Sequence, residues 1–434
     1  MNVSLSSNAR SSGRAQRVVL LSAVFFCSVL SARSQILLPD GDGKQDLERV
    51  CTLCHELDEL SRVNFSPADW GYLVDRMVAY GAPLPKDRVP VVAAYLAKNF
   101  PGSGKPAAVK INGPVEVRIG EITVPDGMRA GDNVVLPDGT MWFGGGRGAM
   151  GRYDPKTGEF KKFPIDFSRG AHDVEMDKEG NVWFVAGEHI GKLNPNTGEA
   201  TKYPMPDPKA KDLHDLVIAP SGNIFFTMSR GNMVGRLNPK TGVVTLASIP
   251  TPNASPYDIQ VDSNGIPFFT EFYSNKVARI DPETMAIREY TLANPGTRPK
   301  RLGFTPDGVI WYNDFARGYI GRLDPKTGET KEWPLPGWRR SQPYGFTVVG
   351  DIVWTSEANT QPPTIVRFDT KTERFQTWLL PNPGDQVHDF IHAPDGKSLW
   401  IGHATRKGSV FYKVDVPTGE AATPYQSPSG SITR

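Results

Sequence analysis

Gly151-Arg152-Tyr153-Asp154-Pro155-Lys156-Thr157-Gly158 recurs with variation around Asn194, Asn238, Asp281, Asp324, Asp369 and Asp415, at intervals of 40, 44, 43, 43, 45 and 46 residues. No other feature of the chain limits its fold as strongly, because a fixed period of this length marks a stack of one supersecondary unit. Each copy follows a segment like Asp215–Phe226 and precedes one like Glu159–Pro164. Both segments alternate apolar and polar residues and are bounded by Asp-Gly, Asn-Gly or Pro-x-Thr-Gly turns, so each copy supplies four short antiparallel strands. Four strands per 40 to 46 residues make a propeller blade. Seven copies close a ring, and the strand-like run Val115–Val124 completes the last blade from the N-terminal side, which removes exposed sheet edges. The expected fold class is therefore an all-β seven-bladed β-propeller over residues 114–425 with a tail at 426–434; the 43 Gly and 38 Pro agree with so many turns.

The repeat also aligns equivalent residues into rings around the central channel. Taking Trp142, Trp183, Phe225, Phe268, Trp311, Trp354 and Trp400 as anchors, the start of the innermost strand carries Gly131, His172, His214, Tyr257, Lys300, Tyr344 and His388. Three residues after the anchors stand Gly145, Ala186, Met228, Glu271, Asp314, Glu357 and His403. Strand geometry brings these two rings together at one channel mouth. Each residue alone fits a solvated rim, but the cluster of His, carboxylate, Tyr and Lys side chains suits chemistry. Glu271, Asp314 and Glu357 offer hard oxygen ligands for a divalent cation such as Mg near His214. Asp132, Asp173, Asp215, Asp258 and Asp389, which follow the first ring, suit hydrogen bonding to backbone amides.

A different composition precedes the repeats. Residues 1–34 combine Arg10, Arg14 and Arg17 with the apolar run Val18–Leu30 and the small-residue sequence Ala32-Arg33-Ser34, the three zones of a secretory signal. The run is shorter than the ~18 residues a spanning helix needs, so no membrane span is expected after cleavage. Removing this segment takes four arginines and no acid, leaving 45 basic and 47 acidic side chains. Such a balance carries no footprint for nucleic acid. The two cysteines that remain lie in Cys51-Thr52-Leu53-Cys54-His55. In an exported chain this spacing reads as covalent c-type haem attachment, with Cys51 and Cys54 forming thioethers and His55 ligating the iron. A thioredoxin-like pair leaves His55 unexplained.

Residues 35–100 fit a small all-α cytochrome c domain. Ser66-Pro67-Ala68-Asp69 is a helix start, followed by Trp70, Leu73, Val74, Met77 and Val78 at helical spacing and by the stop Gly81. A further helix is expected from about Asp87 to Asn99, with Val92, Tyr95 and Leu96 on one face. Met77 is the leading candidate for the sixth iron ligand, against the alternative that it only packs the core. The segment resembles the small haem domains of quinohaemoprotein dehydrogenases through the Cys-Thr-Leu-Cys-His sequence, the Trp70–Met77 helix and Tyr95-Leu96. Residues 101–113, rich in Pro, Gly, Ser, Lys and Ala, read as a linker that spans at most ~45 Å when extended.

The repeated Gly-Arg-Leu-Asp-Pro-Lys-Thr-Gly and the hairpin Pro267-Phe268-Phe269-Thr270-Glu271 resemble those of the streptogramin B (virginiamycin B) lyase family over roughly residues 114–425. That resemblance implies a propeller that opens a cyclic depsipeptide by magnesium-assisted elimination, with His as general base and Glu binding the metal. His214 matches one family His and Glu271 a family Glu, whereas Tyr257 replaces the second His. Tyrosine, with an unperturbed pKa near ~10, is a poor base at neutral pH. The sequence thus favours a periplasmic or otherwise exported haem protein that transfers electrons, with His214, Tyr257 and Glu271 at a mouth that binds a small-molecule substrate or a redox partner. The alternative is a magnesium-dependent streptogramin lyase-like C–O lyase with an accessory haem domain.

Overall fold

The computed structural model describes residues 36–53, 57, 60, 63–79, 82–146, 148–167, 171–338, 341–382, 384–405 and 408–416. The segment read as a secretory signal, Cys54, His55 and Gly81, and the chain beyond residue 416, lie outside the described residues. Seven four-stranded antiparallel sheets form the body. Their inner strands begin at Asn133, His172, Leu213, Pro256, Pro299, Phe346 and Gly384 for blades one to seven, and successive inner strands touch in a closed cycle. The strand Arg118–Thr123 is the outermost strand of blade seven, paired in register from Arg118 opposite Asp415 to Thr123 opposite Val410. The ring is thus fastened by its N-terminal strand, as the spare strand-like run in the sequence implies.

The repeated Asp-Pro-x-Thr-Gly has a local cause. The Asp or Asn carboxyl or amide oxygen accepts the amides two and three residues on, as Asp324 Oδ1 does from Lys326 and Thr327, which closes the turn between the two outer strands of a blade. Gly328 then adopts a φ of 79°, and in blade four Met285 is held at 62° in the same role. Between blades lies apolar packing. Val217, Phe225 and Val234 of blade three, for example, meet Ile259, Phe269 and Ala278 of blade four.

Before the ring stand, among the described residues, three α-helices, α1 (Lys44–Val50), α2 (Pro67–Ala79) and α3 (Val89–Asn99). Asp69 starts α2 as a capping box, its Oδ2 accepting from the Ser66 amide and hydroxyl at 2.9 and 2.6 Å. Leu47, Val50, Phe65, Trp70, Val74, Leu84, Val92, Tyr95 and Leu96 form a core of their own. The segment read as a linker is no free tether. Asn64 ties it to the helices through Ser103 and Gly104. Further on, the Ala108 amide donates to Gln361 O, the Gln361 amide to Pro106 O and the Thr377 amide to Ile111 O, all on blade six. An extended segment without apolar periodicity can still be fixed by its backbone donors and acceptors.

Among the described residues, no helix is long and apolar enough to cross a membrane.

Candidate functional site

The mouth is built by a repeated irregularity. Each inner strand of blades two to five slips its register near its start, between His172 and Val174, Leu213 and Leu216, Pro256 and Ile259, and Pro299 and Leu302. Such a bulge re-aims side chains that plain alternation would send to opposite faces. The slip is held from the neighbouring strand, where Thr227 Oγ1, Thr270 Oγ1 and Asn313 Oδ1 accept the amides of Asp215, Asp258 and Arg301. Consecutive pairs His172-Asp173, His214-Asp215, Tyr257-Asp258 and Lys300-Arg301 therefore all serve the channel.

Along the mouth the rings succeed one another closely. His172 and His214 have centroids 4.4 Å apart, and His214 and Tyr257 3.6 Å. The Tyr257 and Tyr344 hydroxyls are hydrogen-bonded at 2.9 Å. Burial, then the neighbouring Tyr344, push the Tyr257 phenol well above its ordinary value, so it stays protonated at neutral pH and cannot act as a general base. Lys300 is buried in an aromatic cage, its Nζ 4.2 Å from the ring centroids of both Tyr257 and Tyr344, 4.5 Å from Phe315 and 4.6 Å from Phe272. Ring faces of this kind hold a cation by their quadrupoles.

Deeper in the channel the carboxylates converge. His214 Nδ1 is 2.8 Å from Asp215 Oδ1, and His172 Nδ1 is 3.2 Å from Asp132 Oδ2 and 3.8 Å from Asp215 Oδ1. Arg301 reaches across the axis to Asp132, Asp215 and Asp258 at 3.5, 3.3 and 3.5 Å. Burial pushes Asp258 up to about 8 against the pull of Arg301, and it raises Asp173 and Asp215 as well. Asp173 and Asp258 also hold backbone, accepting the amides of Leu216 and Leu302, each at 2.7 Å. Asp132, Asp215 and Asp258 have in Arg301, and the first two also in the imidazoles, partners that the sequence alone did not reveal.

Glu271, Asp314 and Glu357 are fully buried but do not converge. Glu271 Oε2 accepts from Ser274 Oγ at 2.7 Å, and burial pushes the carboxyl up to about 7. Asp314 accepts the amides of Arg298, Ala316 and Arg317 and pairs with the Arg317 guanidinium. Glu357 accepts from the Gly337 amide and from Thr364 Oγ1. Each is turned into its own rim. His403, the second-ring residue of blade seven, is fully buried; burial, with Lys105 and Arg76 nearby, lowers it to about 3. The His388 and Asp389 side chains lie outside the described residues.

The helices lie over this same mouth. Arg230, two residues past Met228 on blade three, donates from its guanidinium to the carbonyl of Thr52, next to Cys51. On blade seven, Arg76 of α2 and Lys105 act on His403. The helical unit thus meets the rim at blade three, and its charges reach His403 on blade seven. Cys51 is half-buried and packs against the helical core. Met77 is half-buried and is not among the residues that pack that core.

Residues 185–430 match the model of the Virginiamycin B lyase family. The fold is similar to that of virginiamycin B lyase from Staphylococcus aureus, with a TM-score of 0.62 and 21% identity over 70% of this chain and 100% of that one. It is similar too to a streptogramin B lyase, with a TM-score of 0.61 and 23% identity over 69% of this chain and 98% of that one. A third neighbour is the extracellular domain of a putative one-component system from B. thetaiotaomicron, with a TM-score of 0.56 and 15% identity over 74% of this chain and 43% of that one. No curated protein sequence matches the chain. With a family match over more than half its length and a seven-bladed ring to carry it, the chain belongs to the virginiamycin B lyase family.

Proposed function

We propose that this is an exported c-type haem protein whose helical unit exchanges single electrons with a small molecule or redox partner bound at the propeller mouth. The observation that carries the reading is the hydrogen bond from Arg230, on the rim of blade three, to the carbonyl of Thr52, next to Cys51. Cys51 and Cys54 would hold the haem as thioethers, with His55 and Met77 on the iron. The half-buried Cys51 and Met77 and the apolar helical core fit that group. When bound, the haem supplies reversible one-electron chemistry. The apolar run Val18–Leu30 and the extracellular neighbour support export.

The mouth supplies the rest. His214, whose Nδ1 lies 2.8 Å from Asp215 Oδ1, takes the proton that a bound donor loses with its electron. Tyr257 offers a hydroxyl, and the caged Lys300 gives the wall a fixed positive charge. Stopped-flow reduction of the haem by ascorbate and by hydroquinone tests this. His214→Ala is expected to slow it about tenfold or more, and Tyr257→Phe by less. Unchanged rates in both, with the propeller still folded, would leave the mouth as a binding surface only.

One observation favours the lyase-like reading. Glu271 keeps a proton near neutral pH, and its Oε1 has no partner among the described residues, as suits a general acid at a C–O elimination site. Against it, Asp314 and Glu357 are taken up by their own hairpins, and Tyr257 stays protonated.

A further inference from the structure

We propose that His172, His214 and Asp215, with Asp132 beside them, form a binding site for one divalent first-row transition metal on the wall of blades one to three. Two donors bound at about 2.1 Å stand roughly 3.0–3.4 Å apart at octahedral or tetrahedral angles. The separations here, 2.8, 3.2 and 3.8 Å between imidazole Nδ1 and carboxylate oxygens, bracket that spacing. His172, His214 and Asp215 each offer a ligand atom within 4.8 Å of the other two, and so do Asp132, Asp173 and Asp215. Two imidazoles with carboxylates suit Zn, Fe or Cu better than Mg or Ca, which prefer all-oxygen sites. This site is separate from Glu271, Asp314 and Glu357, and an ion in it competes with the proton for His214, so the proton transfer proposed above belongs to the metal-free protein.

Charge is the second, independent argument. Asp132, Asp215 and Asp258 are buried around the guanidinium of Arg301, with Asp173 close to the first two. Buried carboxylates in such excess over cations are costly unless protons or a metal ion balance them. The two imidazoles border this excess, with 35% of the His172 side chain and 13% of the His214 side chain exposed while their Nδ1 atoms face inward.

The test is calorimetric titration of the mature chain with Zn(II), once with its cysteines intact and once as Cys51→Ala with Cys54→Ala, so that thiols cannot account for the binding. One equivalent should bind in both forms, and the haem-free form should give a visible band with Co(II). His172→Ala and Asp215→Asn should each weaken Zn(II) binding about tenfold or more. Absence of Zn(II) binding by the double-Cys form, or binding that survives both substitutions in folded protein, overturns the site. Neither outcome depends on whether haem is attached, so the haem reading stands or falls separately.

Discussion

The two walls of the mouth start from the same repeat and end differently. On blades one to three, Asp132, His172, His214 and Asp215 meet one another across blade boundaries. On blades four to six, Glu271, Asp314 and Glu357 each bond within or beside their own hairpin. The difference lies in where along the blade the side chain starts. A carboxylate at the end of the second strand finds turn amides and hydroxyls that the sheet leaves without ladder partners, and it satisfies them. A residue at the inner-strand bulge points to the axis, where its neighbours come from other blades. Convergence at a propeller centre therefore belongs to the start of the inner strand, bulged on blades two to five and unbulged at Asp132 of blade one, not to every polar residue on the rim.

The largest expected effect comes from removing the cation that the bulge carboxylates share. Arg301→Ala leaves Asp132, Asp215 and Asp258 without it and should cost about 3–5 kcal/mol, read as a lower urea midpoint with an unchanged slope. Arg317→Ala, on a half-buried guanidinium of the other wall, should cost clearly less. Equal losses would break the comparison, since both walls would then depend on one arginine alike.

A smaller effect sharpens it through pH. Glu271 binds its proton more tightly when folded, because burial moves it from 4.5 to about 7. Its contribution is fully present below pH 4.5 and is lost as pH rises through 7, a change on the order of 3 kcal/mol. Glu271→Gln has no such titration, so the gap in unfolding free energy between the two proteins should shift by that amount across the window. A gap that stays constant with pH would mean that the Glu271 carboxyl is solvated or paired, unlike the enclosed group described here.

Much of this was legible in the sequence. The seven-fold period gave the blades, the spare strand before Val124 gave the closure of blade seven, and Ser66–Asp69 gave the start of α2. The approach of His214 to Tyr257 followed from aligning the repeats. Arg301 did not, because a long side chain crossing the axis is not fixed by its place along a strand. Nor did the Lys300 cage, half of which comes from Phe272 and Phe315, one position beyond the second ring. A signal for both was present: His-Asp, Tyr-Asp and Lys-Arg stand where plain alternation of a strand would not place two polar residues together. The docking of residues 106–115 on blade six was invisible for another reason, since backbone hydrogen bonds leave no mark in composition.

The central claim is that the helical unit over the mouth bears a covalent haem, and acid-acetone extraction of the mature protein tests it most directly. Made in cells competent for c-type maturation, the protein should keep its haem in the pellet, with a pyridine haemochrome spectrum for two thioethers. Cys51→Ala with Cys54→Ala should give a colourless pellet. Haem that leaves the unmutated protein with the solvent, or a matured protein that carries none, would contradict the account.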